Sequence, residues 1–397
     1  FTDPQLQTLI QQGLEHNTDL LNAALNVKMV EAQLTAAKLA FVPSFTFSPQ
    51  GTISSWDGNK STKTYSLPVQ ASWSLDLFGN LLNQKRSAQM ALLATKDYQL
   101  VVKTNLISNI ANMYYTLLML DEQLIIVNDM AELTKETWDM MKIQKDLGTV
   151  RETGVQSAES NYYSVLAQAE DLKRETENSL SLLLGQPAQT IARGKLADQS
   201  LPTKFSTGIA LQMLSNRPDV HYAEMSLAQC FYDVQTARSR FYPSITISGS
   251  GAFTNSAGGG IVNPGKWLLS AVGSLVQPIF MNGQLVAGLK VAKAEEEQAY
   301  NTWQNAILSA GSEVSNALVL YNSSDAKSKL EAKQVESLEK NVKYTQELFH
   351  QAKGTTYLEI ITAQQSLLNA QLAKVQDDFY KMQAVVNLYY ALGGGRD

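Results

Sequence analysis

The chain has 397 residues, of which 44% are apolar and 17% charged, and its formal charge is −5. That composition excludes a disordered chain, and no apolar run approaches the roughly 20 residues of a membrane-spanning helix, so any membrane contact must be made by strands. The scatter of Lys and Arg in an acidic chain excludes the basic field that draws nucleic acid, and a single cysteine, Cys230, excludes a disulfide framework.

Thr2 and Asp3 before Pro4 start a short helix expected to end near Gly13, and Asn17 to Asp19 cap the next one. Because the chain opens directly on a helix start, a leader is expected ahead of Phe1. From Leu20 the apolar positions Leu20, Ala23, Val27, Val30, Leu34, Ala37 and Phe41 step by threes and fours, a heptad seam that Pro43 closes. Strands are expected at about 44–54 and 64–77. In the second, Leu67, Val69, Ala71, Trp73, Leu75 and Leu77 point one way, and Ser66, Gln70, Ser72, Ser74 and Asp76 the other. At roughly 11 residues it suits a tilted crossing of a bilayer, with one face in lipid and one in water. Trp56, Trp73 and Trp267 lie at or near strand ends, where either an interfacial aromatic girdle or ordinary packing would place them.

From Asn80 to about Asp146 there is neither proline nor glycine, which predicts one helix of roughly 67 residues and about 100 Å. Its seam reads Leu106, Ile110, Met113, Leu117, Leu120, Leu124 and Val127. Gly148 ends it, and the chain returns through Val155, Ala158, Tyr162, Val165, Ala169 and Leu172 to Leu183, an antiparallel coiled-coil hairpin. Gln186 to Ser206 has no periodicity and reads as a linker. The plan then repeats: a short helix to Ser215, a heptad helix from Pro218 to Arg240 that carries Cys230 as a small buried hydrophobe, and strands near 244–255 and 266–277 around Gly258-Gly259-Gly260. A helix from Gly283 to about Ala352 follows, and then a return helix along Ile361, Leu368, Leu372, Val375, Phe379, Met382, Val386 and Tyr389, with Gln365 in the polar seam position.

The two halves answer each other. Phe41-Val42-Pro43-Ser44-Phe45-Thr46-Phe47-Ser48 matches Phe241-Tyr242-Pro243-Ser244-Ile245-Thr246-Ile247-Ser248 residue for residue, and Leu147-Gly148-Thr149 matches Lys353-Gly354-Thr355. The domain reading is therefore a first repeat over 1–190, a linker over 191–206 and a second repeat over 207–397, with coiled hairpins at about 80–184 and 283–392. Chemistry is hard to find in either half. His16, His221 and His350 have no partner at metal-ligand spacing and read as solvated or capping. Gly258-Gly259-Gly260 lacks the Lys-Ser/Thr of a phosphate loop, and Glu295-Glu296-Glu297 and Asp377-Asp378 read as solvated faces. Neither an enzyme nor a cofactor site is expected.

Several of these motifs carry a family likeness. Asn216-Arg217-Pro218-Asp219-Val220, Ala237-Arg238, Gln277-Pro278-Ile279-Phe280 with Gly283, Glu313-Val314, and Trp73-Ser74-Leu75-Asp76-Leu77-Phe78-Gly79 resemble the outer-membrane efflux protein family of TolC-like channel-tunnels, nearest its multidrug-efflux lipoprotein branch. The resemblance covers essentially the whole chain. It implies a mostly α fold with transmembrane β structure, in which duplicated coiled-coil hairpins form an α-barrel and four strands per protomer contribute to a trimeric 12-stranded β-barrel. It also implies a bacterial outer-membrane location with a large periplasmic part, a periplasmic adaptor and an inner-membrane efflux pump as partners, and passive export of small molecules; the branch is lipid-anchored through an N-terminal cysteine, which this sequence does not contain. The strands reach the need for partners independently, because four strands cannot close in lipid and open edges are not tolerated there.

In that branch the second hairpin tip carries a leucine and, one turn on, an aspartate that narrow the entrance. The corresponding positions here are Leu358 and Thr362, so the aspartate is missing and Glu359 is the nearest acid. The entrance is expected at the tips, 148–155 and 354–362, closed at rest, with Arg151 and Glu152 tethering neighbouring hairpins. The alternative reading, a soluble coiled-coil scaffold, has no use for four strands with an apolar face.

Overall fold

The structure is a computed structural model that describes residues 1–55, 57–58, 60–171, 175–199, 217–254, 266–351 and 356–395. Trp56, Leu172, linker residues 200–206, the short helix before Ser215, the Gly258-Gly259-Gly260 turn and Gly354 lie outside the described residues, as do the side chains of Trp267 and His350. The chain forms two compact units, each drawing on both halves of the sequence.

The first unit, Phe1–Asn22, Leu100–Pro218 and Ile307–Asp397, is helical. Helix α1 (Pro4–His16) starts where Asp3 Oδ1 accepts the Gln5 N–H at 2.8 Å. It does not end at Gly13. A Cβ at that position would fall on Ile110 Cδ1, so the glycine admits a neighbouring helix instead of ending its own. Asn17 Oδ1 then accepts the Asp19 and Leu20 N–H groups at 3.0 and 3.1 Å, which starts α2 (Thr18–Leu39). Helix α3 (Asn80–Asp146) is followed by α4 (Glu152–Asp171) and α5 (Glu175–Leu183). The core joins Leu6 and Leu9 of α1, Ile110, Tyr114 and Leu118 of α3, and Leu180 and Leu184. The described part of the linker is pinned: Arg193 pairs with Asp121 and Glu177, Gly194 N–H donates to Tyr114 Oη at 3.2 Å, and Gln199 Nε2 donates to Asp3 Oδ2 at 2.8 Å.

The second long helix, α7 (Gln284–His350), from Ile307 onward, and the return helix, α8 (Tyr357–Ala391), complete this unit. Arg217, only 1% exposed, donates to Ala391 O at 3.1 Å and pairs with Glu313 at 2.7 Å. Two motif residues far apart in sequence thus meet, and removing Glu313, itself half-exposed, would take from the buried Arg217 guanidinium the carboxylate that compensates its charge. Two expectations on α8 are corrected. The buried glutamine is Gln364, whose Nε2 donates to Thr137 Oγ1 at 2.8 Å, not Gln365. Asp377 is buried and Asp378 is held by Ser328, Lys374 and Lys381, so neither is a solvated face. A helix packed on more than one side buries a wider stripe than a coiled-coil seam suggests.

The second unit, Ala23–Gln99 and Asp219–Ala306, carries the sheet. Strands β1 (Ser44–Phe47) and β2 (Gln50–Ser54) both pair with β3 (Thr62–Leu75). Helix α6 (Pro218–Ser239) leads into β4 (Ser244–Thr254), which pairs with β3 and with β5 (Lys266–Val276), all antiparallel. The single strand expected at 44–54 is broken at Ser48–Pro49, and register explains why. Ser48 N–H donates to Pro68 O at 3.3 Å. In an antiparallel strand the N–H and C=O of one residue face the same neighbour, so the N–H that Pro68 lacks also faces this lane, where Pro49 has none to offer either. Strand β3 stops at Leu75 because Asp76 turns to cap α3, accepting the Leu81 and Leu82 N–H groups at 3.1 and 2.7 Å, and Leu77 leaves the ladder. Cys230 is half-buried, not enclosed, and His221 is not simply solvated: its Nδ1 lies 2.6 Å from the Asp97 carboxylate.

Candidate membrane wall and gate

The sheet sorts its side chains by register. Leu67, Val69, Ala71, Trp73 and Leu75 of β3 share a face with Phe45 and Phe47 of β1, Ile245 and Ile247 of β4, and Leu269 and Leu275 of β5. Most of these side chains are bare, and Ala71, Leu75 and Ile245 are half-buried. Phe45 is 72% and Leu269 77% exposed, and Val69 is half-exposed. The other face carries Ser44 and Thr46, Gln70, Ser72 and Ser74, Thr246, Ser248 and Ser250, and Ser270 and Ser274 interleaved with Val272 and Val276, with the Ser250 and Ser270 hydroxyls 2.7 Å apart. An exposed apolar face backed by hydroxyls is what a wall between hydrocarbon and water requires. Trp73, near the foot of the sheet, donates its indole N–H to Phe41 O at 3.0 Å, leaving its ring on the apolar face. Among the described residues no helix is long and apolar enough to cross a membrane, and both outer lanes, β1–β2 and β5, are paired on one side only.

The hairpin tips are built by short-range rules. Gly148, at φ 77°, ends α3: its N–H reaches Lys145 O at 2.8 Å, and Thr149 N–H reaches Gln144 O at 3.0 Å. Met141, Val155 and Ala158 form a buried cluster against which Tyr357 and Ile361 of α8 pack. Gly154 lets them close, since a Cβ there would lie 2.9 Å from Met141 Cε and 3.4 Å from the Tyr357 ring. Thr356 N–H donates to Glu359 Oε2 at 3.3 Å, half of a capping box whose Thr-x-x-Glu spacing is legible in the sequence. That fixes the first turn of α8 and presents Leu358, 62% exposed, and Thr362 on one face, with Thr362 Oγ1 donating to Leu358 O at 2.7 Å. The structure thus brings Leu358, Glu359 and Thr362 together. Arg151 is exposed with no ion-pair partner among the described residues. Glu152, in contrast, is taken by Lys145 of its own hairpin, whose ammonium holds the carboxyl below the usual carboxylate range. Sequence spacing could not show that pairing, because it crosses the turn.

A family profile described as outer membrane efflux protein matches residues 9–186 and 210–394. The chain belongs to the outer membrane efflux protein family. Among its relatives, the cation efflux system protein CusC of Escherichia coli O157:H7 is 28% identical over 408 residues, covering 100% of this chain and 87% of that protein. The solvent efflux pump outer membrane protein SrpC of Pseudomonas putida is 27% identical, covering 100% and 86%. A crystal structure of CusC superposes with a TM-score of 0.87 at 25% identity, covering 100% of this chain and 93% of that one. Membership places this outer membrane efflux protein among export channels of the outer membrane and makes its mixture of long helices and a small sheet that of a TolC-like channel-tunnel. The named cargoes of these two relatives, cations and solvents, differ from each other.

Proposed function

We propose that three copies close one channel. The β1–β2 lane of each protomer pairs with β5 of the next, so four lanes per protomer give a barrel of 12 strands, with Leu67, Val69, Ala71, Trp73 and Leu75 toward lipid and the hydroxyl face toward water. The hairpins form the α-helical tunnel in the periplasm, which docks on a periplasmic adaptor and an inner-membrane efflux pump and acts as a passive conduit for small molecules. The observation that carries the reading is the sheet itself, with one bare apolar face and two one-sided edges. An unpaired backbone group in hydrocarbon costs several kcal/mol, and a head-to-tail contact that closes on itself removes every edge. Apolar stripes support contact between copies as well: Leu21, Leu25 and Met29 on α2, and Leu308, Val319 and Leu330 on α7, are exposed.

The gate of this channel is the second hairpin tip, where Leu358 and Thr362 face the axis, Glu359 supplies the acid, and Arg151 and Glu152 lie at the adjoining tip. Purified in detergent, the protein is expected to behave as a trimer by light scattering and to aggregate when detergent is withdrawn. A monodisperse monomer in detergent-free buffer would contradict the proposal.

A further inference from the structure

The foot of the sheet carries a belt of cations. Lys38 lies in the last turn of α2, Arg238 in the last turn of α6 and Arg240 just beyond it, Lys85 and Arg86 in the second turn of α3, and Lys290 in the second turn of α7. All six sit within about two helical turns, roughly 10 Å, of a helix end that joins a strand. Across 36–43, 76–86, 238–243 and 277–290 the one carboxylate is Asp76, already committed to the Leu81 and Leu82 N–H groups. None of the six has an ion-pair partner among the described residues. Lys85 lies 5.9 Å from the Phe41 ring and Arg86 5.8 Å from that of Tyr232, and the other four are exposed. Helix dipoles account for Lys38 and Arg238 at C-terminal ends but offer nothing to Lys85, Arg86 and Lys290 near helix starts.

The apolar band continues down to this belt. Leu77, Ile279 and Phe280 are exposed, Ile279 to 96%, and with Arg240 and Tyr242 they line a cleft of about 860 Å³ between the strand feet. An apolar surface ending in unpaired cations has the chemistry of a bilayer boundary, with acyl chains above and phosphates below. We propose that this belt binds anionic phospholipid headgroups of the leaflet that meets the helices. The proposal rests on the reading of the sheet as a membrane wall.

The test uses the assembled channel in phosphatidylcholine vesicles containing brominated phosphatidylglycerol or brominated phosphatidylcholine, with tryptophan quenching as readout because the Trp73 ring lies on the apolar face. Phosphatidylglycerol is expected to be preferred several-fold. Joint substitution Lys38→Gln, Arg238→Gln, Arg240→Gln and Lys290→Gln should abolish that preference, while Lys38→Arg with Lys290→Arg retains it. Inorganic phosphate at millimolar concentration should not compete. Equal quenching by the two lipids, or a preference unchanged in the trimeric quadruple variant, would overturn the lipid site. Absence of quenching by either lipid would instead overturn the membrane wall.

Discussion

Arginine at Val69 or Ala71 is expected to abolish assembly in the membrane, whereas arginine at Gln70 or Ser72 leaves it intact. Both pairs lie near the middle of the 14-residue β3, so depth is the same and only the face differs. Val69 stands between Phe47 and Gly251 and Ala71 between Phe45 and Gly249, so a guanidinium there meets rings and backbone but no polar side chain. Ser72 stands between Ser44 and Ser248, where water and hydroxyls receive the charge. A lipid-facing arginine at midplane costs about 2–4 kcal/mol per protomer, and threefold symmetry multiplies it. The fraction of protein recovered as membrane-inserted trimer measures the effect. Equal losses on both faces would show that the register does not separate lipid from water.

Truncating Leu358 and Thr362 together to alanine is expected to raise single-channel conductance in planar bilayers by a factor on the order of two, since three copies of each would line one constriction. The substitutions leave the helix itself in place. Tyr357 and Ile361 hold α8 on the Met141 cluster, Glu359 caps its first turn, and exposed positions away from such features change stability by about 0.5 kcal/mol or less. The conductance therefore reports on the side chains and not on a loosened tip. Glu359→Gln should weaken cation preference while keeping an acceptor for the Thr356 N–H. Arg151→Ala should favour opening more than Glu152→Gln does, because Glu152 is bound by its own Lys145. Conductance unchanged in the double alanine variant would place the constriction elsewhere along the tunnel.

Local rules decided what the sequence could reveal. The span of α3, Asn80–Asp146, follows from an uninterrupted run without proline or glycine, and the two faces of β3 follow from a period of two. Features that depend on a partner element were hidden. The break between β1 and β2 needs Pro68 to lie opposite it, Gly13 is small because Ile110 approaches, and Asp377 and Gln364 are buried because α8 packs on several sides. The pair of Arg217 with Glu313 was visible only as two motifs, since nothing in their spacing joins them. At the tip, Leu358 and Thr362 came from the family resemblance, whereas the Glu359 cap was open to direct reading.

A closed trimeric barrel requires the β1–β2 lane of one protomer to pair with β5 of the next. In a Cys230→Ser background, Thr46→Cys on β1 can be combined in turn with Ser270→Cys, Val272→Cys or Ser274→Cys on β5, all on the hydroxyl face. Oxidation of the membrane-embedded protein is expected to yield disulfide-linked dimers and trimers for one pairing, falling away at the others, with no species above the trimer. Absence of intermolecular disulfides at every pairing, or a ladder that continues past three chains, would contradict a closed trimeric barrel.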